Sequence, residues 1–558
     1  MIQDKIKNWI KETLKLEGEA VLMHPKDIKN GDYAFVSMPE HIGAQAKKLK
    51  EHQLPEIETI EIAGRFINFH LSHQFFSSSI EEILNNKNLG GNNLLADKKI
   101  MVEYTQPNPF KPFHIGHLMS NAIGESISRL VEISGAEVSR ANYQGDVGLH
   151  VARAIWGLMK DVKLQEQVDS IAIQSHNIGL AYADGSAAYE NDPNSKKEID
   201  EINMKVYTRE SDKINAIYDW GFKVTMEAFE DLYKKLGTKF DFYFIESAMA
   251  DIGSDIVNDN LGKIFENSDG AIVFKAEKYN IEGQPKLHTR VFITSNNLPT
   301  YETKELGLTM EKFKTIPDMD RSIVVTAKEQ MDYMRVVTKA ISLIHPEYEK
   351  KMLHITHGMM RFADGKMSSR KGNVITGESL ISDTEALVTE KIKERSFDQI
   401  TKDKIINDVA VAAIKYSILK QNTGGDIVYD FENSISFEGD SGPYLQYSYA
   451  RANSVLEKAK AENILPDFKI LPAEITEVEK LLYRFPEIVA RSAAEYEPHY
   501  IANYLIEVAR SFNSFYGNNQ IVNKDDKESS YKVALTFAFA FVLKKGLHLL
   551  GISAPEKM

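Results

Sequence analysis

VEYTQPNPFKPFHIGH, from Val102 to His117, changes character three times within a few residues. Ile100 and Met101 lead into it, so Lys99 to Tyr104 reads as a short buried strand. Pro107, Pro109 and Pro112 rule out regular structure in the middle of the stretch. From His114 onward apolar residues recur mostly at threes and fours (Ile115, Leu118, Ala122, Ile123, Ile127, Leu130), which predicts a helix. Gly135 then supplies a C-terminal cap, and Glu137 to Tyr143 predicts a second strand. Strand, stiff loop, helix and strand make the first unit of a doubly wound parallel sheet. Ligands of such sheets bind at the carboxyl ends of the strands, where this loop lies.

The H-I-G-H end of the stretch has its own chemistry. His114 and His117 are three apart and share one face at the start of the helix. That end carries partial positive charge and unpaired N–H groups, which suits phosphate. Gly116 has no side chain, so a flat ring such as adenine has room against the backbone. Two imidazoles there could donate to a triphosphate as charge builds on its α-phosphorus. A bare H-x-G-H is more often a helix start with two surface histidines, so the reading needs a second motif.

The chain has 558 residues, enough for about three to four domains. A hydrophobic fraction of 43% and a charged fraction of 26% are those of a globular protein with ample core. No apolar run approaches a membrane span. The absence of cysteine excludes disulfides, thiolate zinc sites and cysteine nucleophiles, and fits a reducing compartment. The N-terminus has no signal-peptide core, and Asp4 and Glu12 argue against a transit peptide, so a cytoplasmic location is expected. A net charge of −13 gives no bulk attraction to nucleic acid, so a nucleic-acid partner needs local basic patches.

Residues 1–95 read as a small α+β domain: a helical stripe at Ile2, Ile6, Trp9, Ile10 and Leu14, then a strand hairpin, Ile57 to Ala63 and Phe66 to Leu71, around Gly64. Phe66, Phe69, Phe75 and Phe76 near His70 are either core or a stacking surface for unpaired bases. Residues 151–250 read as helical elaboration with no catalytic constellation, and Gly145-Asp146 as a turn or a substrate contact. Strands return at Ala271 to Phe274, Arg290 to Ile293 and Ile323 to Val325. Tyr301 and Glu305 share a helix face, and Gln330 follows the last of these strands. A tyrosine, a carboxylate and an amide suit a cationic, planar substrate. From about residue 400 the chain is helical again, with Tyr444, Tyr447 and Arg451 on one face: either a buried seam or a surface for splayed bases.

The second motif is KMSSRKGN, Lys366 to Asn373, after the tight turn Asp364-Gly365. Lys366, Arg370 and Lys371 gather three cations, while Ser368, Ser369 and Gly372 keep the loop small. Such a loop can close on a triphosphate and neutralise developing charge. Together the two motifs resemble those of a class I aminoacyl-tRNA synthetase, and the details resemble the arginyl-tRNA synthetase family. Pro107, Asn108 and Lys111 stand as that family's P-N-x-x-K. Gly145-Asp146-Val147-Gly148 stands as its G-D-x-G, and Tyr301 to Glu305 as its Y-x-T-[KR]-[DE]. Gly31 to Ala34, Phe66 to Phe69, Gly439 to Tyr447 and Gly551 to Met558 match its terminal domains, so the resemblance runs from end to end.

The resemblance implies a Rossmann-like catalytic domain at 96–400, a tRNA D-loop-binding domain at 1–95 and an all-α anticodon-binding domain at 401–558. It implies that L-arginine attacks the α-phosphate of ATP, and that the arginyl group then passes to the 3′ end of tRNA(Arg). ATP is the co-substrate, with Mg²⁺ arriving on the triphosphate, no dedicated protein metal site and no membrane; a monomer is expected. His114, Gly116, His117, Lys366, Ser368, Ser369 and Lys371 would hold ATP. Glu103 and Asn108 would hold the amino and carboxylate end of arginine, and Tyr301, Glu305 and Gln330 its side chain. Glu305 stands where an aspartate is usual. Asn68, Phe69, Tyr447, Arg451, Tyr516 and Met558 would contact tRNA. One departure stands out: Ser369 occupies the place of the second lysine of K-M-S-K-S. Lys111 is expected to serve instead, with Arg370 or Lys371 as alternatives. The rival readings are a class I synthetase for lysine, a different H-x-G-H nucleotidyltransferase, and a non-catalytic RNA-binding relative.

Overall fold

The computed structural model describes residues 1–166, 168–363 and 376–558, and falls into two compact units, 95–435 and 1–94 with 436–558. The first is built on a five-stranded sheet. Its strands are β1 (Lys99–Glu103), β2 (Glu137–Gln144), β3 (Phe242–Ile245), β4 (Arg321–Ala327) and β5 (Met352–His357). They lie in the order β5-β4-β1-β2-β3, all parallel. The order reverses beside β1, so the switch point falls at the stretch quoted above. Helix α1 (Ile115–Ile133) crosses from β1 to β2 and ends at Gly135 with φ +98°. Its apolar side is buried at Leu118, Ala122, Ile127 and Leu130.

Four helices, Leu149–Lys160, Ile171–Asn191, Pro193–Thr208 and Asp212–Leu236, separate β2 from β3. The strand β3 itself was not expected from the sequence. Its four residues, FYFI, give too short an apolar run to stand out between two helices. Ala271–Phe274 and Arg290–Ile293 are strands, but they belong to a separate antiparallel sheet in which Ala271–Phe274 lies between Arg290–Ile293 and Glu266–Ser268. Helix α2 (Tyr301–Thr315) then leads to β4, and α3 (Met331–Ile344) to β5. The sequence boundary at 401 divides differently from the compact units. Helix Gln399–Leu419 packs in the sheet unit, where buried Lys415 donates to the carbonyl of Leu236 at 2.6 Å.

The second unit joins the two ends of the chain. A four-stranded antiparallel sheet holds Leu22–Met23, Tyr33–Val36, Phe66–Leu71 and Ile57–Ala63 in that order. Its core contains Trp9, Tyr33, Phe69 and Phe76 together with Tyr483 from the helical tail. The tail comprises Gly442–Ala461, Glu477–Leu482, Phe485–Glu495, His499–Asn518 and Ser529–Leu549. Tyr33 Oη donates to Glu487, which also meets His24 Nε2 at 3.1 Å. Among the described residues no helix is long and apolar enough to cross a membrane.

Candidate active site

The loop after β1 is held in an unfavourable shape. Thr105, Gln106 and Phe110 have φ of +79°, +52° and +66°, in a region that side chains other than glycine seldom adopt. Buried neighbours fix it there. The Thr105 N–H donates to Ser120 Oγ at 3.0 Å, and that hydroxyl donates on to the Val325 carbonyl of β4 at 2.8 Å. Asn121 Nδ2 donates to Thr105 Oγ1 at 3.0 Å, and Gln106 N–H donates to Asn142 Oδ1 of β2 at 3.1 Å. The helix start and both adjacent strands therefore aim the loop that carries Asn108 and Lys111.

At the N-terminus of α1 the His114 and His117 rings stack with centroids 3.4 Å apart. His117 is buried, whereas His114 opens to solvent on one side and is enclosed by protein on the others. Loss of solvation, with Lys111 and His357 nearby, lowers the pKa of His114 to about 4. Burial, then His114 and Lys111, hold His117 well below the ordinary histidine value. Both rings are therefore neutral at pH 7. The His114 N–H donates to His117 Nδ1 at 3.2 Å, so the neutral His117 carries its proton on Nε2 and keeps it as a donor. A Cβ on Gly116 would stand 3.0 Å from the His114 ring and meet nothing else, so glycine here permits the stack and leaves open space.

The amino-acid side of the site is a cluster of buried carboxylates. Glu103 and Lys312 form an ion pair at 2.6 Å with each side chain 1% exposed, and Gln106 Nε2 donates to the other oxygen of Glu103 at 2.6 Å. Glu246, directly after β3, is paired with Lys304, which also donates to Tyr207 Oη at 3.1 Å. Desolvation keeps the pKa of Glu246 raised in spite of that lysine. Glu305 is 6% exposed, and no hydrogen bond to its carboxylate is seen among the described residues. Burial first, then the repulsion of Glu103, push its pKa up to about 8. Tyr143 and Tyr333 face the same carboxylates, which help to raise their own pKa values. At Gly145 a Cβ would lie 2.3 Å from Asn108 Oδ1 and 2.9 Å from Glu246 Oε2. Loops after β1, β2 and β3 thus meet at one point.

Residues 79–431 match the family described as tRNA synthetases class I (R), catalytic domain, and residues 445–558 match the DALR anticodon binding domain. The chain is 31% identical to the arginine–tRNA ligase of Clostridium perfringens, over 100% of this chain and 99% of that one. The chain belongs to the class I arginyl-tRNA synthetase family. A Streptococcus pneumoniae arginine–tRNA ligase is 30% identical over 97% of each chain. The Thermus thermophilus arginyl-tRNA synthetase superposes with a TM-score of 0.81 at 23% identity, covering 100% of both chains. A Plasmodium falciparum arginyl-tRNA synthetase follows at 0.76 and 19%, over 100% of this chain and 99% of that one.

Against the arginyl-tRNA synthetase pattern, the predicted residues fall as follows. His114, His117, Gly116, Lys111 and Asn108 sit together at the carboxyl edge of β1. Glu103 is there too, but its contacts with Lys312 and Gln106 leave it closed off. Glu305 is buried in the carboxylate cluster. Tyr301, one turn earlier on α2, is 69% exposed and lies over Lys304 at 5.5 Å. Gln330 is exposed at the end of β4. Asp146 proves to be a tie between helices: it accepts from Ser247 N–H at 2.8 Å, Ser247 Oγ at 2.6 Å and Tyr218 Oη at 2.9 Å. Lys366, Ser368, Ser369, Arg370 and Lys371 lie outside the described residues. The chain resumes beside the first motif, where Gly377 N–H donates to the Phe113 carbonyl at 2.7 Å and Thr376 pairs with His114.

In the other unit, Tyr447, Arg451, Tyr516 and Met558 line one pocket of about 470 Å³. The Arg451 guanidinium lies 4.8 Å from the Tyr447 ring and 5.1 Å from that of Tyr516, and donates to Asn513 Oδ1 at 2.5 Å. Phe69 is a correction: it is fully buried edge-on to Trp9 at 5.6 Å, so it is a core residue with no face for a base. Asn68 beside it is 5% exposed. Sequence reasoning missed Glu246, Lys304, Lys312 and Asn142. Glu246 could have been found as the residue after a strand, had β3 been recognised.

Proposed function

We propose that this protein activates L-arginine with ATP and transfers it to the 3′ end of tRNA(Arg), using the residues assembled at the carboxyl edge of the parallel sheet. The observation that carries the substrate choice is a charge count. Glu103, Glu246 and Glu305 share one buried cluster with Lys312 and Lys304, and each lysine is spent on one of the first two. Glu305 is the carboxylate left without a lysine of its own, and burial, then the repulsion of Glu103, raise its pKa. A guanidinium supplies a cation with N–H groups suited to a carboxylate.

The chemistry needs no protein nucleophile. Asn108 at Gly145 would orient the amino-acid head group, with Glu246 and Lys304 behind it, and Tyr301 would cover the side chain. The neutral His114 and His117 donate N–H to the phosphates without competing as cations, at the positive end of α1. Lys111 is the one cation of the loop itself; its Nζ lies 5.4 Å from the Tyr182 ring, and its field reaches both histidines. That supports it as the charge that Ser369 cannot provide. Lys366, Ser368 and Lys371 complete the ATP site in this reading. Mg²⁺ would enter on the triphosphate, because Glu103 and Glu246 are already committed to lysines and offer no free donor set. The Tyr447, Arg451, Tyr516 and Met558 pocket is the proposed anticodon contact, and Asn68 at most a minor tRNA contact. A monomer is the proposed state, and consumption of the product in translation fits a cytoplasmic site of action.

The test is ATP–pyrophosphate exchange with each amino acid in turn, with and without tRNA. Arginine alone should support exchange, with tRNA present. Exchange driven by lysine, or exchange that ignores tRNA and amino acid alike, would replace this reading with one of its rivals.

A further inference from the structure

The stripe of α2 that starts at Tyr301 and Glu305 continues past the proposed guanidinium position. Thr309 and Lys312 follow Glu305 on the same helix face, and these three residues form one wall of a cavity of about 360 Å³. Val324 of β4 with Met334 and Val337 of α3, all buried, line the same cavity. His354 of β5 also faces the space. It is neutral at pH 7, because burial lowers its pKa to about 4, and its Nε2 is engaged with Thr326 Oγ1 at 2.7 Å. Lys312 is spent on Glu103. The lining therefore combines a carboxylate without a lysine partner and an apolar strip, with Arg335 and Lys339 elsewhere in it. A guanidinium placed on Glu305 satisfies the carboxylate but brings no apolar group to the strip.

We propose that the site also accepts amino acids whose guanidinium carries an alkyl group on an ω-nitrogen, with the alkyl chain lying against Val324, Met334 and Val337. This rests on the reading that Glu305 receives the guanidinium. Alkylation keeps the cation and leaves N–H groups for Glu305. Each methylene that reaches the strip is worth about fourfold in affinity, offsetting the crowding at the carboxylate.

The test is tRNA charging by the full-length protein with arginine and with Nω-methyl-, Nω-ethyl- and Nω-propyl-arginine. The expected kcat/KM values stay within about tenfold of arginine and do not decline along the series. Normal arginine charging with a loss of about tenfold or more for every added carbon overturns the proposal. Two variants add an independent arm, because both residues line the cavity. Val337→Phe and the gentler Thr338→Leu fill it, and each should cut the kcat/KM of the propyl analogue about tenfold while arginine stays within about twofold. An unchanged propyl analogue in whichever variant folds also overturns it. Failure of the underlying reading has a different mark: Glu305→Gln would then charge arginine as well as the parent chain does.

Discussion

Glu305 concentrates the energetics of the site in one carboxyl group. Its folded pKa of about 8 lies above the usual 4.5, so the folded chain holds this proton more tightly than the unfolded one. The stability it contributes is full below the unfolded value and is lost as pH rises through about 8. Arginine needs the ionised form. KM for arginine should therefore fall as pH is raised toward about 8, and binding at neutral pH should release a proton, measurable by calorimetry in buffers of different ionisation enthalpy. A flat pH profile with no proton release would remove Glu305 from the pocket. Replacement by glutamine should weaken arginine about ten- to hundredfold, the scale of a hydrogen bond to a charged group. Lys111→Ala addresses the phosphate side. It should lower pyrophosphate exchange at least about hundredfold while arginine binding survives, and near-normal exchange would pass the role to Arg370 or Lys371.

At the scale of the element, the strained loop between β1 and α1 depends on side chains from outside it. Asn142 is the clearest: it accepts from Gln106 N–H at 3.1 Å and donates to Tyr233 Oη at 2.9 Å while wholly buried. Asn142→Ala takes the acceptor Oδ1 from Gln106 N–H, which keeps only the Tyr104 carbonyl at 3.2 Å, and a donor from Tyr233 Oη, at a cost of about 1–3 kcal/mol in all. Thermal unfolding should register that loss, and KM for arginine should rise with it. Asn142→Asp, which keeps the acceptor for Gln106, should recover most of the KM. A lowered melting temperature with an unchanged KM would make Asn142 a packing residue only. The same element shows what was legible beforehand. β1, α1 and β2 were readable because prolines, glycine and a change of apolar period fall within one short stretch. The hairpin at Ile57–Ala63 and Phe66–Leu71 was equally clear. β3 was not, being four residues between long helices, and Glu246 was lost with it. Lys304 enters the sequence reading only as the [KR] of the Tyr301 to Glu305 match, with no role of its own, and Lys312 not at all. Only the tertiary fold sets them on carboxylates from other elements, and no local period encodes that.

For the whole molecule the difficulty is charge. A chain with net charge −13 must meet a polyanion through a local patch. The pocket of Tyr447, Arg451 and Tyr516 is such a patch, with Lys458 and Lys557 also in its lining. The four predicted residues come from three segments of sequence, yet they converge on one space, where two tyrosines flank a guanidinium. Arg451 is tied to Asn513, whose Nδ2 donates to Tyr444 Oη at 2.9 Å and Ser448 Oγ at 2.8 Å, so its place between the rings is set by the helices themselves. Stacking on such a platform is worth about 1–3 kcal/mol per base. Arg451→Ala should therefore raise KM for tRNA about five- to hundredfold with little change in kcat. The salt dependence of tRNA binding should become shallower, because one phosphate-directed cation is gone. Measured side by side, ATP affinity should stay at its parent value, since none of the proposed ATP-site residues lies in this unit. An unchanged KM for tRNA would mean that the two rings and the cation serve only to hold the helices together.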